Sequence, residues 1–418
     1  MSVPHSVEPE SGTGERRTSL RAARFNSLAV LWDLSTLGRV RGCRRVGVLA
    51  DGSALLRVTG TGAERRAGFG GLATCGSTWA CPCCAERIAA GREEELTAAI
   101  EAWRSAGNAV AMVTLTMRHD RGQALSSLWD AVSRAWGAVT SGRGWEGAHV
   151  RYGAVVSRTL VQGARKGTVV LAPFVGWTRV VEVTHGKNGW HVHVHSLLFL
   201  RRHVSARDVR DLGAEMFQRW RARLVADGFA APLSHLGGLD ARLAGDGAGG
   251  LGKYLTKSRY GAGTAEGTAA EITRGASKAG LSGNRTPFAI LADIVAAPVS
   301  GDVALWHEWE AASAGRRQMT WSQGWREMLV PTVEEKTDHE LAAEDLGGED
   351  LLGLPRATVR AIGARRLHAA LLDAAESDDS GDWARLFLVS HGLEFTAPPT
   401  VGDAAVRVLD ARLVAVRY

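Results

Sequence analysis

Nowhere in the 418 residues does an apolar run approach the roughly 18 needed to span a bilayer, so no transmembrane anchor is expected. Arg16-Arg17-Thr18-Ser19-Leu20 has the paired arginines of an export signal. Arg21 and Arg24 interrupt the apolar stretch such a signal requires, which excludes it and leaves a cytoplasmic chain as the expectation. Cysteine is scarce, with five residues, and four of them fall within the ten positions from Cys75 to Cys84. Thiols so clustered, in a chain with no export signal, argue for metal ligation and against disulfides. A nucleotide-binding loop is also missing. Gly247 to Lys253 fits GxxxxGK, but Tyr254 stands where Ser or Thr must hold Mg²⁺, and no apolar strand leads into it. His307-Glu308 and His339-Glu340 lack the second histidine of HExxH, which excludes a zincin. Finally, there is no acidic excess: 50 Lys and Arg against 44 Asp and Glu give +6, with a pI near 9.3. That balance favours an anionic partner, DNA or RNA being the usual one, although charge alone does not separate nucleic acid from an acidic membrane surface.

What is present is concentrated in Trp190-His191-Val192-His193-Val194-His195, followed by Ser196-Leu197-Leu198-Phe199-Leu200. Period-two spacing puts the three imidazoles on one face of a β-strand and the valines on the other. Thr178 to Thr184 reads as a second strand, and Asn188-Gly189 predicts a two-residue type I′ turn between them. With those two residues in the turn, Lys187 pairs with Trp190, Thr184 with His193 and Glu182 with His195. Directly opposed residues share a face about 5 Å apart, so a carboxylate and two imidazoles converge, a donor set that suits Mg²⁺ or Mn²⁺. A three-residue turn would reverse the parity. The competing reading is a strand whose histidines face solvent or satisfy a core network.

Cys75-Gly-Ser-Thr-Trp-Ala-Cys81-Pro-Cys83-Cys84 has the short spacing at which thiolates close round Zn²⁺, and Cys43 is far enough away to complete a tetrahedron from another element. The expected ligands are Cys43, Cys75, Cys81 and Cys84, with Cys83 spare because it competes with Cys84 for one corner. Such a zinc would be structural, since four thiolates leave no open position. Buried reduced thiols without metal are the alternative.

The rest of the chain supplies a frame. Residues 1 to about 25 read as a disordered leader. Residues 85 to 105 predict a helix carrying Ile88, Leu96, Ile100 and Trp103, with Gly107 beyond its end. Ala109 to Met117 alternates as a strand, with Thr114 and Thr116 on one side, placed beside the histidine strand. Leu125, Leu128, Trp129, Val132 and Trp136 have helical spacing, and Ser205 caps a helix that turns Val209, Leu212, Met216, Trp220 and Leu224 inward. Tyr254 and Lys257 lie one turn apart on a short helix after a glycine-rich approach, an arrangement that is unremarkable by itself. Trp306 and Trp309 read as core. From about residue 331 the composition turns acidic, a linker before a small helical region.

Thr114-Leu-Thr116, then Glu182 to His195, then Lys253-Tyr254-Leu-Thr-Lys257 resemble, in order, the three motifs of rolling-circle plasmid replication initiators of the HUH endonuclease superfamily. The cysteine segment, Trp306-His-Glu-Trp309-Glu and Arg316-Arg317-Gln-Met-Thr-Trp321-Ser are similar to segments of its actinobacterial branch, and the likeness covers about residues 40 to 330. The resemblance implies an α+β fold with a central antiparallel sheet of about five strands, flanking helices and the metal on a central strand. It divides the chain into a leader and short helix (1–38), a cysteine-rich zinc subdomain with a connecting helix (39–105), the endonuclease domain (106–330) and an acidic linker with a helical C-terminal region (331–418). It makes His193 and His195 the metal-binding pair, with His191 an extra member and Glu182 the third ligand of Mg²⁺ or Mn²⁺. Tyr254 becomes the nucleophile and Lys257 a stabiliser of phosphate or leaving group. One departure matters: Gly250 stands where some relatives carry a glutamate used in termination. The partners implied are plasmid origin DNA, a host helicase and a DNA polymerase, with no membrane; a homo-oligomer is compatible with this. The alternatives are a conjugative relaxase or single-strand transposase, or a non-catalytic zinc-containing DNA-binding regulator.

Overall fold

The computed structural model describes residues 11–159, 169–244, 283–344 and 347–398. Their strands are β1 (Ala54–Thr59), β2 (Arg66–Gly70), β3 (Ala109–Thr116), β4 (Ala154–Thr159), β5 (Val169–Phe174), β6 (Gly176–Gly186), β7 (Gly189–Leu200), β8 (Leu239–Leu243), β9 (Met319–Trp321) and β10 (Glu349–Leu354). The chain divides into two compact units, one built from residues 1–88, 292–298 and 336–418, the other from 89–291 and 299–335.

The second unit is organised by a five-stranded antiparallel sheet in the order β8-β3-β7-β6-β9. Alternation gives it two faces. On one, Val110 and Met112 of β3, Leu197 and Phe199 of β7 and Val180 of β6 pack with Leu96, Ile100 and Trp103 of the helix Pro82–Ser105. Further along that face the apolar residues give way to Thr114, Thr116, Glu182 and the histidines. Against the other face lie the helices Leu125–Val139 and Ala206–Ala226: Gly213 meets Ala241, and the Trp220 indole donates to Thr116 O at 3.2 Å. The expected cap is present, because Ser205 Oγ accepts from the Asp208 amide while the Asp208 carboxylate accepts from Ser205 N–H. Trp129, Trp220, Trp306 and Trp309 are all fully buried. The charge in this core is paired, with Arg326 Nε 3.2 Å from Glu95 Oε1 and the Trp321 indole donating to the same carboxylate.

The first unit carries the sheet β10-β1-β2, with a core that includes Leu56, Phe69, Leu352, Leu371 and Leu388. Two expectations are corrected here. The leader is not disordered throughout its first 25 residues, because a helix spans Ser11–Leu34. Its arginines make the composition look unfit for burial, but Arg17 pairs with Glu376, and Arg21 with Asp373 and Glu376. Nor is the acidic C-terminal segment only linker and helices: β10 pairs antiparallel with β1, Leu352 opposite Leu56, and the Asp350 carboxylate accepts from Arg57.

Gly176 shows how tightly the second unit is closed at the start of β6. A Cβ there would lie 2.0 Å from the Trp325 ring. That indole is 2% exposed and fixed between Trp103 and Phe199, with centroids at 5.3 and 5.9 Å. It has no room to yield. Gly176→Ala is therefore expected to destabilise the sheet by about 1–3 kcal/mol, the cost of overpacking. Hydrogen exchange at β6 and β7 amides reads the change, and unaltered protection would contradict the packing described.

Candidate metal centres

The β6–β7 hairpin builds the first centre. Its turn is Lys187-Asn188, and Gly186 pairs with Gly189, which takes a φ of +85°. This corrects the expected type I′ turn at Asn188-Gly189. Lys187 and Asn188 keep negative φ, and the glycine supplies the left-handed residue after them, as in a type I turn with a glycine bulge. The register moves by two residues: Glu182 lies opposite His193, Val180 opposite His195 and Thr184 opposite His191. A shift of two preserves the face, whereas a shift of one would have turned the carboxylate away.

Glu182 Oε2 is 2.9 Å from His195 Nε2 and 3.3 Å from His193 Nε2, and each of the three side chains is 14% exposed. All three donor atoms lie within 4.8 Å of one another. An octahedral ion with bonds of about 2.1 Å separates adjacent donors by roughly 3 Å, so these spacings and the mixed oxygen and nitrogen set fit a hard divalent cation. Burial pushes the Glu182 carboxyl up, but its hydrogen bonds to His193 and His195 and their charge outweigh this and hold it well below the usual range. The carboxylate is thereby kept ionised for a cation. On the neighbouring strand Thr114 is paired with His195, its Oγ1 2.9 Å from His195 Nδ1. In the tautomer whose Nδ1 proton is donated to that hydroxyl, Nε2, which faces the Glu182 carboxylate, would present its lone pair to an ion held between them. His193 Nδ1 is buried with no hydrogen-bond partner among the described residues, so His193 is the less constrained imidazole.

His191, the third member of the row, is not one of the converging donors. It stacks on His119, which follows β3, with centroids 4.9 Å apart, and lies 5.1 Å from the His193 ring. Burial, reinforced by His193 and His119, pushes its pKa down to about 3, so it is neutral at physiological pH. His119 was not singled out from the sequence. It sits three residues past Thr116, off the alternation that marks the strand. Tyr254 and Lys257 lie outside the described residues.

The second centre joins Cys43, Cys75, Cys81 and Cys84, all fully buried. Three of the sulfur pairs are 3.6 to 3.7 Å apart. That is far beyond a disulfide and matches the edge of roughly 3.7 Å in a tetrahedron with Zn–S bonds of about 2.3 Å. Hydrogen bonding from Cys43, then Cys75 and Cys81, holds Cys84 well below the usual thiol value. Burial pushes Cys83 up to about 12, so it stays a thiol outside the set. The sequence reading missed Arg44, a buried residue held in the left-handed region at φ +60°. Burial opposes its charge, and the adjoining cysteine sulfurs, those of Cys43 and Cys84 foremost, more than restore it. Hydrogen bonding with Cys43 pushes Cys75 up and burial pushes Cys81 up instead, so the four become thiolates together only around an ion, for which Arg44 would be the counter-charge; its position directly after Cys43 was the available signal.

The chain is similar to a curated protein named Protein rep from Streptomyces lividans, 29% identical over 367 aligned positions that take in 75% of this chain and 77% of that protein. No family model matches the sequence. No solved structure matches it either.

If Thr114 sets the His195 tautomer, Thr114→Val should weaken Mn²⁺ binding by roughly 10- to 100-fold in calorimetric titration, and Glu182→Gln should weaken it at least as much. Equal affinity in Thr114→Val would separate the hydroxyl from the metal centre. For the cysteine cluster, Cys75→Ser should lose the one zinc per chain that elemental analysis is expected to find, while Cys83→Ser keeps it. Loss of zinc from Cys83→Ser would redraw the ligand set.

Proposed function

We propose that this chain is a plasmid replication initiator that nicks and rejoins one strand of its origin through a tyrosine nucleophile. The observation that carries the reading is the convergence of Glu182, His193 and His195 on one point of the central strands. The similarity to Protein rep weighs for replication over a conjugative relaxase or a transposase.

Glu182, His193 and His195 would hold Mg²⁺ or Mn²⁺, with Thr114 orienting His195. A divalent cation bound there supplies charge neutralisation to the non-bridging oxygens of a phosphodiester. Tyr254 Oη is the group we assign to attack. It forms the bond to phosphorus and releases its proton, while the bond from phosphorus to the 3′ oxygen breaks and that oxygen takes up a proton. The products are a 5′-phosphotyrosine and a free 3′-OH that primes synthesis, and the covalent link conserves the bond for rejoining. A phenol with pKa near ~10 is a poor nucleophile at neutral pH, and the Lys257 ammonium lowers the charge cost of the attack and of the leaving oxygen.

Chain length supports this role. Tyr254 follows Ala244 by ten residues, and the Ala244 amide donates to Val110 O, four residues along β3 from Thr114. Ten residues reach up to ~35 Å, and four residues of strand cover ~13 Å. Beyond the same segment, Arg285 pairs with His185 beside the hairpin turn.

Unwinding falls to a separate helicase and synthesis to a host polymerase in this reading, since the glycine-rich segment lacks the Ser or Thr of a P-loop. No helix of the described residues is long and apolar enough to cross a membrane, and we assign the work to the cytoplasm. With Gly250 in the place of a carboxylate, water or another group of the chain must end the cycle.

Labelled single-stranded oligonucleotides tiled across the replicon, incubated with the full chain and Mn²⁺, test the proposal. A covalent adduct is expected, abolished in Tyr254→Phe and retained in Tyr260→Phe. An adduct that survives Tyr254→Phe would refute the nucleophile. DNA that is shifted in a gel but never cut would point instead to a zinc-containing DNA-binding regulator.

A further inference from the structure

Most tryptophans of the second unit are closed off, but where β6 begins several rings are left partly open. A cavity of about 260 Å³ there is lined by Trp145 and Trp325, both buried, and by Phe174, Trp177 and Trp321, each partly exposed. Trp177 is five residues from Glu182 on β6, so the two side chains leave opposite faces of the sheet, roughly 17 Å apart along the strand. Trp321, opposite Thr178 on β9, is on the face of Glu182, but four residues of strand, roughly 13 Å, hold the cleft apart from the metal centre.

His149 Nδ1 accepts from Val175 N–H, and two other polar groups of the lining have capacity to spare. Ser322 Oγ accepts from Trp177 N–H at 2.9 Å and keeps its own proton to donate. Thr140 donates its hydroxyl to Trp136 O at 3.0 Å and keeps its lone pairs. One donor and one acceptor beside aromatic rings match the edge and the faces of a nucleobase.

A positive charge lies one indole away. Arg179, two residues past Trp177, has its guanidinium 5.9 Å over the Trp136 ring, which meets Trp177 edge-on at 5.1 Å. Its Nε donates to Thr320 Oγ1, and its Nη1 is buried without a hydrogen-bond partner among the described residues. Burial draws its pKa down to about 10, which leaves it cationic at neutral pH. Aromatic rings beside an arginine are the combination that holds an unpaired base and its phosphate.

We propose that this cleft binds one unpaired nucleobase of a single strand, stacked on Trp177 and Trp321, with the strand's phosphates drawn by Arg179. The inference rests on the reading that the chain works on DNA, and it deepens that reading by assigning a second contact on the strand, away from the metal.

The test uses the full chain with decathymidylate and no added Mn²⁺, read by tryptophan quenching and by polarisation. Wild type should bind with quenching, and Trp177→Ala should weaken binding by roughly 10- to 100-fold, the effect of losing one stacked base. Because Trp177 also packs on Trp136, Gln323→Glu serves as a second variant: it keeps every ring and sets a negative charge against the phosphates, so it too should weaken binding. Unchanged affinity in both variants overturns the cleft, as does a wild type that shows no quenching. Thymidine monophosphate binding as tightly as decathymidylate would overturn the assignment to a strand in favour of a free nucleotide. The adduct assay, run in parallel with Mn²⁺, separates the two readings. An adduct without cleft binding sinks only this inference, and decathymidylate held through Trp177 without any adduct sinks only the nicking chemistry.

Discussion

The pairing of β6 with β7 is the constraint on which the second unit depends. It sets Glu182 opposite His193, brings the same carboxylate oxygen to His195, and leaves Val181, Val183, Val192 and Val194 on the reverse face. A strand has a side-chain period of two, so one decision about register settles both the apolar contacts and the donor set. β3 then lies against the other edge of β7 and brings Thr114 to His195. The centre thus draws on three adjacent strands, each held by ladder hydrogen bonds. A donor set on such strands loses little freedom when an ion arrives.

The first unit solves a different problem. Its small sheet joins strands nearly 300 residues apart in sequence, β1 with β10, and closing such a loop carries an entropic cost. Several local devices offset it. Arg21 spans Asp373 and Glu376, His368 stacks on Phe25 at 5.0 Å and lies 2.9 Å from Arg44 O through Nε2, and four buried thiols gather within bonding range of one ion. Arg44 links two of these devices, through its carbonyl to His368 and through its charge to the cysteines. A tetrathiolate zinc carries net negative charge, and a buried guanidinium beside it reduces the cost of desolvating that charge.

What could be read beforehand was what depends on neighbours in sequence. The alternation of His191, His193 and His195 gave a face, the spacing of Cys81 and Cys84 gave a knuckle, and the apolar stripes of the helices Leu125–Val139 and Ala206–Ala226 lie buried where periodicity put them. The turn type was misread because Asn-Gly serves two hairpin geometries, and the choice between them depends on which residue takes positive φ. The helix Ser11–Leu34 and β10 were missed for another reason. Their polar residues find partners hundreds of positions away, and a window of ten or twenty residues records only the unpaired charge. Glu182 came out as a partner of both histidines despite the shifted register, because its side chain reaches from one rung of the ladder to the next.

The account stands on two ions, one held by oxygen and nitrogen, the other by sulfur. Anomalous difference maps from a Mn²⁺-soaked crystal of the full chain, collected above the manganese and zinc edges, test this most directly. The account predicts a manganese peak bonded to Glu182 and to the Nε2 atoms of His193 and His195, and a separate zinc peak inside the four thiols of Cys43, Cys75, Cys81 and Cys84. A manganese peak elsewhere, with the two imidazoles bonded to no ion, would contradict it.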